Sequence, residues 1–506
     1  MKNQTKLGMV LSYVTVVIQG LTGIFLTSFL IRILGDNQYG LYSIISALSS
    51  NMSILSLGFG TTLVRYVSEC RIRQDKLKEK QIVGTVVLFF VFMSFIAFVI
   101  SGIVYFNFGN IYAKSLTTQE IMQGRWMFLI ATINIIITLM ETPFSSCLVA
   151  YEQYVISRTE IIYKLFMRII VVIPCILLGA NVTIIIIIDT ILALTTFAFN
   201  IWYTKYKLNI GISINGIELR MVKDIFRYSF FVFLILITNQ LNKNVDQTIL
   251  GIKVSAVAVT VYTAGTKISS LFDSFSNAIS NMFIPKATKL VVDGATTKEV
   301  EDFVIRFSRI QAYVVFYIYV AFLIMGRGFI TIWLGDGYIL SWVTAIIVMT
   351  GLILPLLKDS IRAYIQASGR QVALSITYLI SAFFNVISTW IVVDYFGIIG
   401  AAVCSLIMAI LCNEVLLNIY FCKVIHLNMF RYYIQLMKGI LPVSIVSGII
   451  CYLMTKVISV NSIANFILIG SVYTILYFLL MYKCAMNHDE QVMINSIARR
   501  IGKWFM

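Results

Sequence analysis

Residues 11–50 read LSYVTVVIQGLTGIFLTSFLIRILGDNQYGLYSIISALSS, and this stretch decides the fold class. Its first part is a long, mainly apolar run that ends at Leu34, and about 20 such residues suffice for an α-helix to cross a bilayer. The polar break GDNQYG follows, and a second apolar run begins at Leu41. The stretch therefore predicts two membrane-spanning helices joined by a short turn.

The rest of the chain has the same apolar character. It has 506 residues, of which 59% are hydrophobic and 12% charged, and its mean hydropathy is +0.90. Soluble globular proteins contain about 45–50% apolar residues. The composition excludes a water-soluble globule and predicts an all-α polytopic membrane protein.

About fourteen apolar runs are long enough to span a membrane. The predicted spans are 9–34, 41–67, 82–106, 126–149, 161–179, 183–203, 225–250, 256–283, 304–325, 341–365, 372–393, 399–421, 440–457 and 463–482. The second, seventh and eighth are the most polar of these.

The net charge of +16 describes topology rather than a nucleic-acid partner. Basic residues remain on the cytoplasmic side of a membrane. An even number of spans with a cytoplasmic N-terminus places most of the basic loop residues inside, Arg71, Arg73 and Lys76 among them. We therefore expect a multi-pass protein of the bacterial cytoplasmic membrane with both termini in the cytoplasm.

Several kinds of chemistry are not expected here. The eight cysteines form no CxxC pair, and the two histidines, His426 and His488, lie in predicted cytoplasmic segments. No GxxxxGK[ST] motif is present, so ATP binding by a P-loop is not expected. We predict no metal, no cofactor and no enzymatic activity.

Three landmarks recur at an offset of about 216–218 residues and indicate an internal repeat. Leu34-Gly35, predicted to end the first span, corresponds to Leu250-Gly251, predicted to end the seventh. The segment 148–153 corresponds to 365–370, and Gly179 to Gly397. The repeat predicts two six-helix lobes related by a pseudo-twofold axis along the membrane normal, with two further helices at the C-terminus. The predicted boundaries are 1–210 for the N-terminal lobe, 211–430 for the C-terminal lobe, and 431–506 for helices 13 and 14 with a basic cytoplasmic tail.

The sequence resembles the bacterial polysaccharide flippases of the multidrug, oligosaccharidyl-lipid and polysaccharide (MOP) exporter superfamily. The basic N-terminus before residues 11–50 is similar to the opening of those proteins. Further similar segments are VDQTILG (245–251), VYTAGTKIS (261–269), WLGDGY (333–338), IQASGRQ (365–371), FFNVIS (383–388) and YFGIIGAAVCSLI (395–407).

The resemblance implies a central cavity and export of undecaprenyl-diphosphate-linked oligosaccharide by alternating access, for O-antigen, capsule, exopolysaccharide or teichoic-acid assembly. Relatives that handle peptidoglycan precursor usually carry several arginines in the first two helices. Here those helices contain only Arg32 and Arg65, which speaks against that precursor.

Membrane lipids, a polysaccharide polymerase and a chain-length regulator are further expected partners, and we expect a monomer.

Ionisable residues within spans are candidate functional residues, because each is costly in lipid. Lys267 lies near mid-bilayer in the eighth span and is predicted either to line the cavity and attract the diphosphate or to pair with an acid within the membrane. In the seventh span, Lys243 and Asp246 can pair across one turn, and Asn239 lies on the face of Lys243. These side chains suit a sugar, or they lie at the headgroup level.

Basic residues also lie toward the predicted cytoplasmic ends of spans two and five. Arg65, Lys164 and Arg168 are expected to be snorkelling anchors or to form a basic vestibule for the incoming phosphate.

Three acids are candidates for carrying a coupling ion: Glu141, Glu414 and Asp359. Lys358, Asp359 and Arg362 could also neutralise one another, since they are close in sequence.

Two alternatives to the flippase remain. A cation- or proton-coupled drug antiporter of the same superfamily would need a cavity dominated by acids, whereas Lys243 and Lys267 are basic. An integral-membrane polymerase or glycosyltransferase would need a large outer loop, and no predicted outer loop much exceeds 107–125.

Overall fold

The computed structural model describes residues 2–213, 219–280, 283–370, 372–492 and 495, and this part of the chain is helical without strands. The helices of the first half are α1 (Lys2–Leu34), α2 (Asp36–Met52), α3 (Phe59–Arg73), α4 (Lys76–Ile111), α5 (Thr118–Ala150), α6 (Tyr154–Leu177), α7 (Thr183–Trp202) and α8 (Leu219–Lys253). The later helices are α9 (Ala256–Ser280), α10 (Phe283–Val292), α11 (Thr297–Leu334), α12 (Ile339–Leu357), α13 (Asp359–Ala367), α14 (Val372–Ala409), α15 (Leu417–Tyr420), α16 (Met429–Met437), α17 (Ile440–Val457) and α18 (Ile463–Leu480).

Large apolar side chains are exposed along whole faces of the long helices. On α4, Phe92, Phe95 and Phe98 are 58–64% exposed, and Ile449 and Leu453 on α17 are 54% and 57% exposed. A soluble protein rarely exposes such continuous apolar surface. In a membrane protein these faces contact lipid, which confirms the all-α polytopic membrane fold.

Ten segments of the described residues are long and apolar enough to cross a membrane. One of them, Ala373–Ile425, contains two of the predicted spans, and the chain turns between them at Gly397, whose φ is 52°. The helices α6, α8 and α9 correspond to predicted spans that carry charged residues and are not among the ten. The count of fourteen remains a prediction.

The second predicted span is not one continuous helix. It consists of α2, a 3-10 turn over Ser53–Ser56, and α3. Leu57 and Gly58, between the turn and α3, both adopt left-handed backbone conformations, with φ of 45° and 72°. The serines just before this break lower the hydropathy of the segment, but the amino-acid pattern does not show where the helix stops.

The chain forms two compact units. The first contains Met1–Ala264 and Tyr378–Cys404, and within it α5 packs on α4 and α7, and α1 packs on α6. The second contains Gly265–Thr377 and Ser405–Met506, and within it α11 packs on α12 and α17. The lobe boundaries 1–210, 211–430 and 431–506 remain predictions.

Backbone geometry at helix ends repeats along the chain. After α5, Glu152 adopts φ 59° and Gln153 N–H donates to Leu148 O; after α13, Gly369 adopts φ 73° and Arg370 N–H donates to Ile365 O. These are equivalent helix-stop motifs, in which a left-handed residue lets the chain satisfy the last carbonyls. They lie 217 residues apart, in agreement with the predicted repeat.

Two further pairs have a similar spacing and were not predicted. Gln74 (φ 57°) follows α3 and Gly294 (φ 66°) follows α10, each with the same stop motif. Asn209 (φ 52°) and His426 (φ 58°) follow short π-helical segments, Tyr203–Lys207 and Phe421–Ile425. The two halves of the repeat therefore share the same backbone conformations in the turns between helices.

One predicted landmark is wrong. Gly35 ends α1 with φ 80°, but Gly251 lies inside α8, which continues to Lys253. A Cβ on Gly251 would lie 2.8 Å from Cγ1 of Ile44 in α2. Gly251 therefore permits close packing of α8 on α2 and does not stop a helix.

Candidate functional site

Lys267 is the twelfth of the 25 residues of α9, and its side chain is exposed. An exposed lysine halfway along a membrane helix is too deep for its ammonium to reach the surface easily, so a polar space beside the helix is expected. We predicted Asn239 and Lys243 as further substrate contacts, but their side chains lie outside those that the structure describes. Their roles remain predictions.

Asp246 lies in a polar cage within the first unit. Its side chain is buried and accepts hydrogen bonds from Tyr262 Oη at 2.7 Å, Thr389 Oγ1 at 3.3 Å and Asn385 Nδ2 at 3.4 Å. These three donors are uncharged and come from α9 and α14. Such a set of oxygen-rich side chains suits a proton or a hard monovalent cation better than a bulky sugar.

Arg168 is not at the end of its helix, and here the sequence interpretation is wrong. It is the fifteenth of the 24 residues of α6, because α6 begins at Tyr154, earlier than the predicted span. Its Nε lies 2.9 Å from Oδ1 of Asp189 in α7, and its Nη2 donates to the Tyr42 hydroxyl at 2.5 Å. Arg168 therefore joins α6 to α7 and α2 within the span.

We predicted Arg65 near the cytoplasmic end of the second span, but the helix continues beyond it to Arg73. Arg65 lies in the middle of α3 with an exposed side chain, and its guanidinium carbon is 5.8 Å from the centroid of the Tyr66 ring.

Glu141 in α5 forms a buried cluster with α6 and α7. Its carboxylate lies 3.3 Å from Nζ of Lys164 and accepts a hydrogen bond from Asn200 Nδ2 at 3.0 Å. Asn200 also donates to Glu160 at 3.4 Å. The cluster thus holds two carboxylates and one ammonium within the first unit. Lys164, which we expected to snorkel, pairs with an acid instead.

Glu414 is paired with Lys358. Nζ of Lys358 lies 2.7 Å from Glu414 Oε1 and also donates to the carbonyl of Asn413, while Tyr433 Oη donates to Glu414 Oε2 at 2.5 Å. The interpretation that Lys358, Asp359 and Arg362 neutralise one another is therefore wrong for Lys358. It pairs with an acid 56 residues away, because the break between α12 and α13 turns it toward the π-helical segment Ile410–Leu416.

Asp359 pairs with Arg362, one turn later in α13. It also accepts hydrogen bonds from Gln311 Nε2 at 2.8 Å and from the Ser280 hydroxyl. Each of the three predicted coupling acids therefore contacts a basic side chain.

A cavity of about 490 Å³ opens beside the broken second span. Eleven residues line it, and eight of these are Ser, Thr, Asn or Gln. They come from the end of α2, from the 3-10 turn, from α5 and from Gln240 of α8. Sequence reasoning missed this site, although the four serines in SSNMSILS (49–56) are an unusual run for a membrane span.

Among the described residues, no group of three His, Cys, Asp or Glu side chains could hold a metal ion.

The chain matches a family model described as "Polysaccharide biosynthesis protein" over residues 29–347, more than half of its length. A sequence search of curated proteins finds no match.

Solved structures share the fold at low sequence identity. The lipid II flippase MurJ in an inward closed conformation has a TM-score of 0.74 and 15% identity, covering 94% of this chain and 99% of that one. An inward-facing multidrug resistance MATE family transporter of the MOP superfamily has a TM-score of 0.67 and 12% identity, covering 81% and 95%. A MOP superfamily transporter from Pyrococcus furiosus, described with a binding pocket of reversed polarity, has a TM-score of 0.52 and 13% identity, covering 82% and 96%.

The exposed apolar helix faces, the charged residues within the spans and the family match all indicate a membrane protein. The chain belongs to the polysaccharide biosynthesis protein family and has the fold of the MOP superfamily of membrane transporters.

Proposed function

We propose that this protein is a flippase that moves undecaprenyl-diphosphate-linked oligosaccharide from the inner to the outer leaflet of the bacterial cytoplasmic membrane. Family membership supports a role in polysaccharide biosynthesis. The observation that carries the proposal is the exposed Lys267, halfway along α9. An ammonium at that depth can attract a diphosphate while the lipid tail remains in the bilayer.

The structure supports some of the other proposed substrate contacts more than others. Arg65 is exposed and remains a proposed contact for an anion. Arg168 contacts Asp189 and Tyr42, so we assign it to holding α6, α7 and α2 together. Lys243 and Asn239 remain proposed contacts on the strength of the sequence alone.

The test uses a strain from which the gene is deleted. Variants are introduced into it, and surface polysaccharide and lipid-linked oligosaccharide are measured. We expect Lys267→Ala to abolish surface polysaccharide and to accumulate lipid-linked oligosaccharide, with Lys267→Arg retaining part of the export. The control is Lys253→Ala, which removes a partly exposed lysine that pairs with Asp394 at the end of α8. Normal export by Lys267→Ala would contradict the assignment, provided that the protein reaches the membrane at the level of the unmutated protein.

A coupled antiporter of drugs or small molecules is the second candidate, and the Asp246 cage is the observation that favours it. Asp246 is a buried carboxylate within a span that accepts hydrogen bonds from Tyr262, Thr389 and Asn385. A carboxylate in that position is a candidate for binding a proton or a cation during transport. The same cage is compatible with a flippase driven by an ion gradient. Drug resistance on overexpression, lost when the gradient is dissipated, would favour the antiporter.

A polymerase or glycosyltransferase is the third candidate and has the least support. No observation in the described part of the chain favours it over a transporter. We propose that a separate polymerase extends the oligosaccharide after this protein has moved it. We also propose that both termini of this chain lie in the cytoplasm.

A further inference from the structure

The cavity beside the broken second span lies at membrane depth. Thr138, on its wall, is the 21st of the 33 residues of α5 and is exposed. Ser53, on the opposite side, is also exposed and lies near the middle of the α2–α3 segment. Exposed polar groups at this depth are costly in contact with lipid. The cavity is therefore a polar space that faces water or substrate.

Most of the side chains of this wall are polar, and none of the eleven described residues that line the cavity is Lys, Arg, Asp or Glu. A diphosphate needs cations or several N–H donors. A charged group moved into a neutral site inside a membrane protein loses hydration without gaining a partner. The described part of the lining therefore offers no cation to a diphosphate or to an acidic sugar.

The polar side chains of the wall retain hydrogen-bonding capacity. The hydroxyls of Ser49, Ser53 and Thr142 donate to helix carbonyls at 2.7–2.9 Å, which leaves their oxygens free to accept. The amide nitrogen of Gln240 is buried and has no hydrogen-bond partner among the described residues. A ligand with many hydroxyl groups supplies donors to these oxygens and an acceptor to this amide.

The cavity also has a suitable size and composition. Its volume of about 490 Å³ lies within the range of about 300–1,000 Å³ for small-molecule sites. Ile54, Ile135 and Leu139 add apolar wall, which suits the C–H faces of a sugar ring.

We infer that this cavity is a subsite for an uncharged sugar residue of the transported oligosaccharide, separate in chemistry from the basic contact that receives the diphosphate. The inference rests on the proposed flippase function and adds a substrate class to it: neutral hexoses or N-acetylhexosamines rather than uronic acids.

Variants that remove polarity at nearly constant volume test the subsite in cells. They are Thr142→Val, Asn134→Leu and Gln240→Met, introduced into the complemented deletion strain. We expect each to lower export and to accumulate lipid-linked oligosaccharide. The control is Thr132→Val on the same helix: Thr132 is buried, makes the same kind of bond to Phe128 O at 2.8 Å, and does not line the cavity.

Binding to the purified protein tests the chemistry directly. The probes are methyl glycosides of neutral hexoses and of N-acetylhexosamine, with glucuronic acid and inorganic pyrophosphate for comparison, measured by calorimetry. We expect the unmutated protein to bind neutral glycosides more tightly than glucuronic acid. Gln240→Met should weaken glycoside binding about tenfold and leave pyrophosphate binding unchanged, whereas Lys267→Ala should do the reverse.

The outcomes separate the two ideas. If the deletion strain does not accumulate lipid-linked oligosaccharide, the flippase function is wrong. If it does accumulate, but the three cavity variants export normally, only the sugar subsite is wrong. Equal binding of glucuronic acid and neutral glycosides by the unmutated protein would also overturn the subsite, and this result does not depend on any variant folding.

Discussion

Nζ of Lys358 lies 2.7 Å from Oε1 of Glu414, and the two side chains are only 3% and 14% exposed. This buried ion pair joins the break between α12 and α13 to the π-helical segment Ile410–Leu416. Removing one partner of such a pair leaves an uncompensated charge, whereas removing both charges does not.

The first prediction follows from this asymmetry. Lys358→Met should lower the free energy of unfolding by about 3–5 kcal/mol, because the Glu414 carboxylate loses its cation. Adding Glu414→Gln to Lys358→Met should recover most of the loss. The measurement is the melting temperature of the protein in detergent. The exposed pair Arg73–Glu69 is the control, for which Arg73→Ala should cost less than about 1 kcal/mol. A double variant no more stable than Lys358→Met would contradict the interpretation.

The second prediction concerns pH and the segment after α18. Burial tends to raise the pKa of the Glu490 carboxyl, but hydrogen bonds from Arg309, Tyr313 and the Asn487 backbone hold the pKa below its ordinary value of about 4.5. A lowered pKa stabilises the folded state above that value, and the stabilisation is lost as the pH falls through the folded-state pKa.

Thermal melts between about pH 7 and pH 3 test this dependence. We expect the unmutated protein to lose more stability than Glu490→Gln on acidification, so that the two curves converge at low pH. Other carboxylates titrate in both proteins, and the difference between the curves isolates Glu490. Parallel curves would show that Glu490 does not contribute.

A third prediction compares two turns of the repeat. Gln74 and Gly294 adopt the same left-handed conformation after α3 and α10. A residue with a Cβ pays about 1–2 kcal/mol there, and glycine does not. Gln74→Gly should therefore stabilise the protein by up to about 1 kcal/mol, since the more flexible unfolded chain offsets part of the gain. Gly294→Ala should destabilise it by about 1 kcal/mol, although its Cβ would meet no atom within 4 Å. Shifts of the same sign in both variants would argue against equivalent turns.

The fourth prediction concerns Asp246. Asp246→Asn keeps the shape of the side chain but removes the charge, so we expect transport to lose its dependence on an ion gradient. The measurement is export in cells before and after the gradient is dissipated. Asp394→Asn is the matched control, because Asp394 lies in the same unit with 52% of its side chain exposed. Gradient-dependent export by Asp246→Asn would exclude this residue as the coupling site.

The sequence located the apolar centres of the helices better than their ends, since α5, α6 and α11 all begin several residues before the predicted spans. The predicted spans 183–203 and 440–457 agree with α7 and α17 to within one residue, because turn residues bound each apolar run sharply. The break at Leu57 and Gly58 was not foreseen, although four serines precede it, since a polar run within a span does not specify a change of backbone direction.

Side-chain partners were harder to predict. Spacing along one helix correctly paired Asp359 with Arg362. Lys358 with Glu414 and Arg168 with Asp189 join different helices, and sequence spacing carries no information about such contacts. The cavity was missed for the same reason, because its wall combines residues from α2, α5 and α8.

The broken second span also affects how the protein is made. Its most apolar window has a mean hydropathy of 1.2, against 2.8 for the neighbouring span that contains α4. During synthesis, segments partition into the membrane according to their apolarity. A span interrupted by four serines gains little from entering lipid alone, so we expect it to be retained at the insertion machinery until α4 has emerged. The backbone break that opens a cavity in the finished protein would thus make this segment depend on its neighbours for insertion.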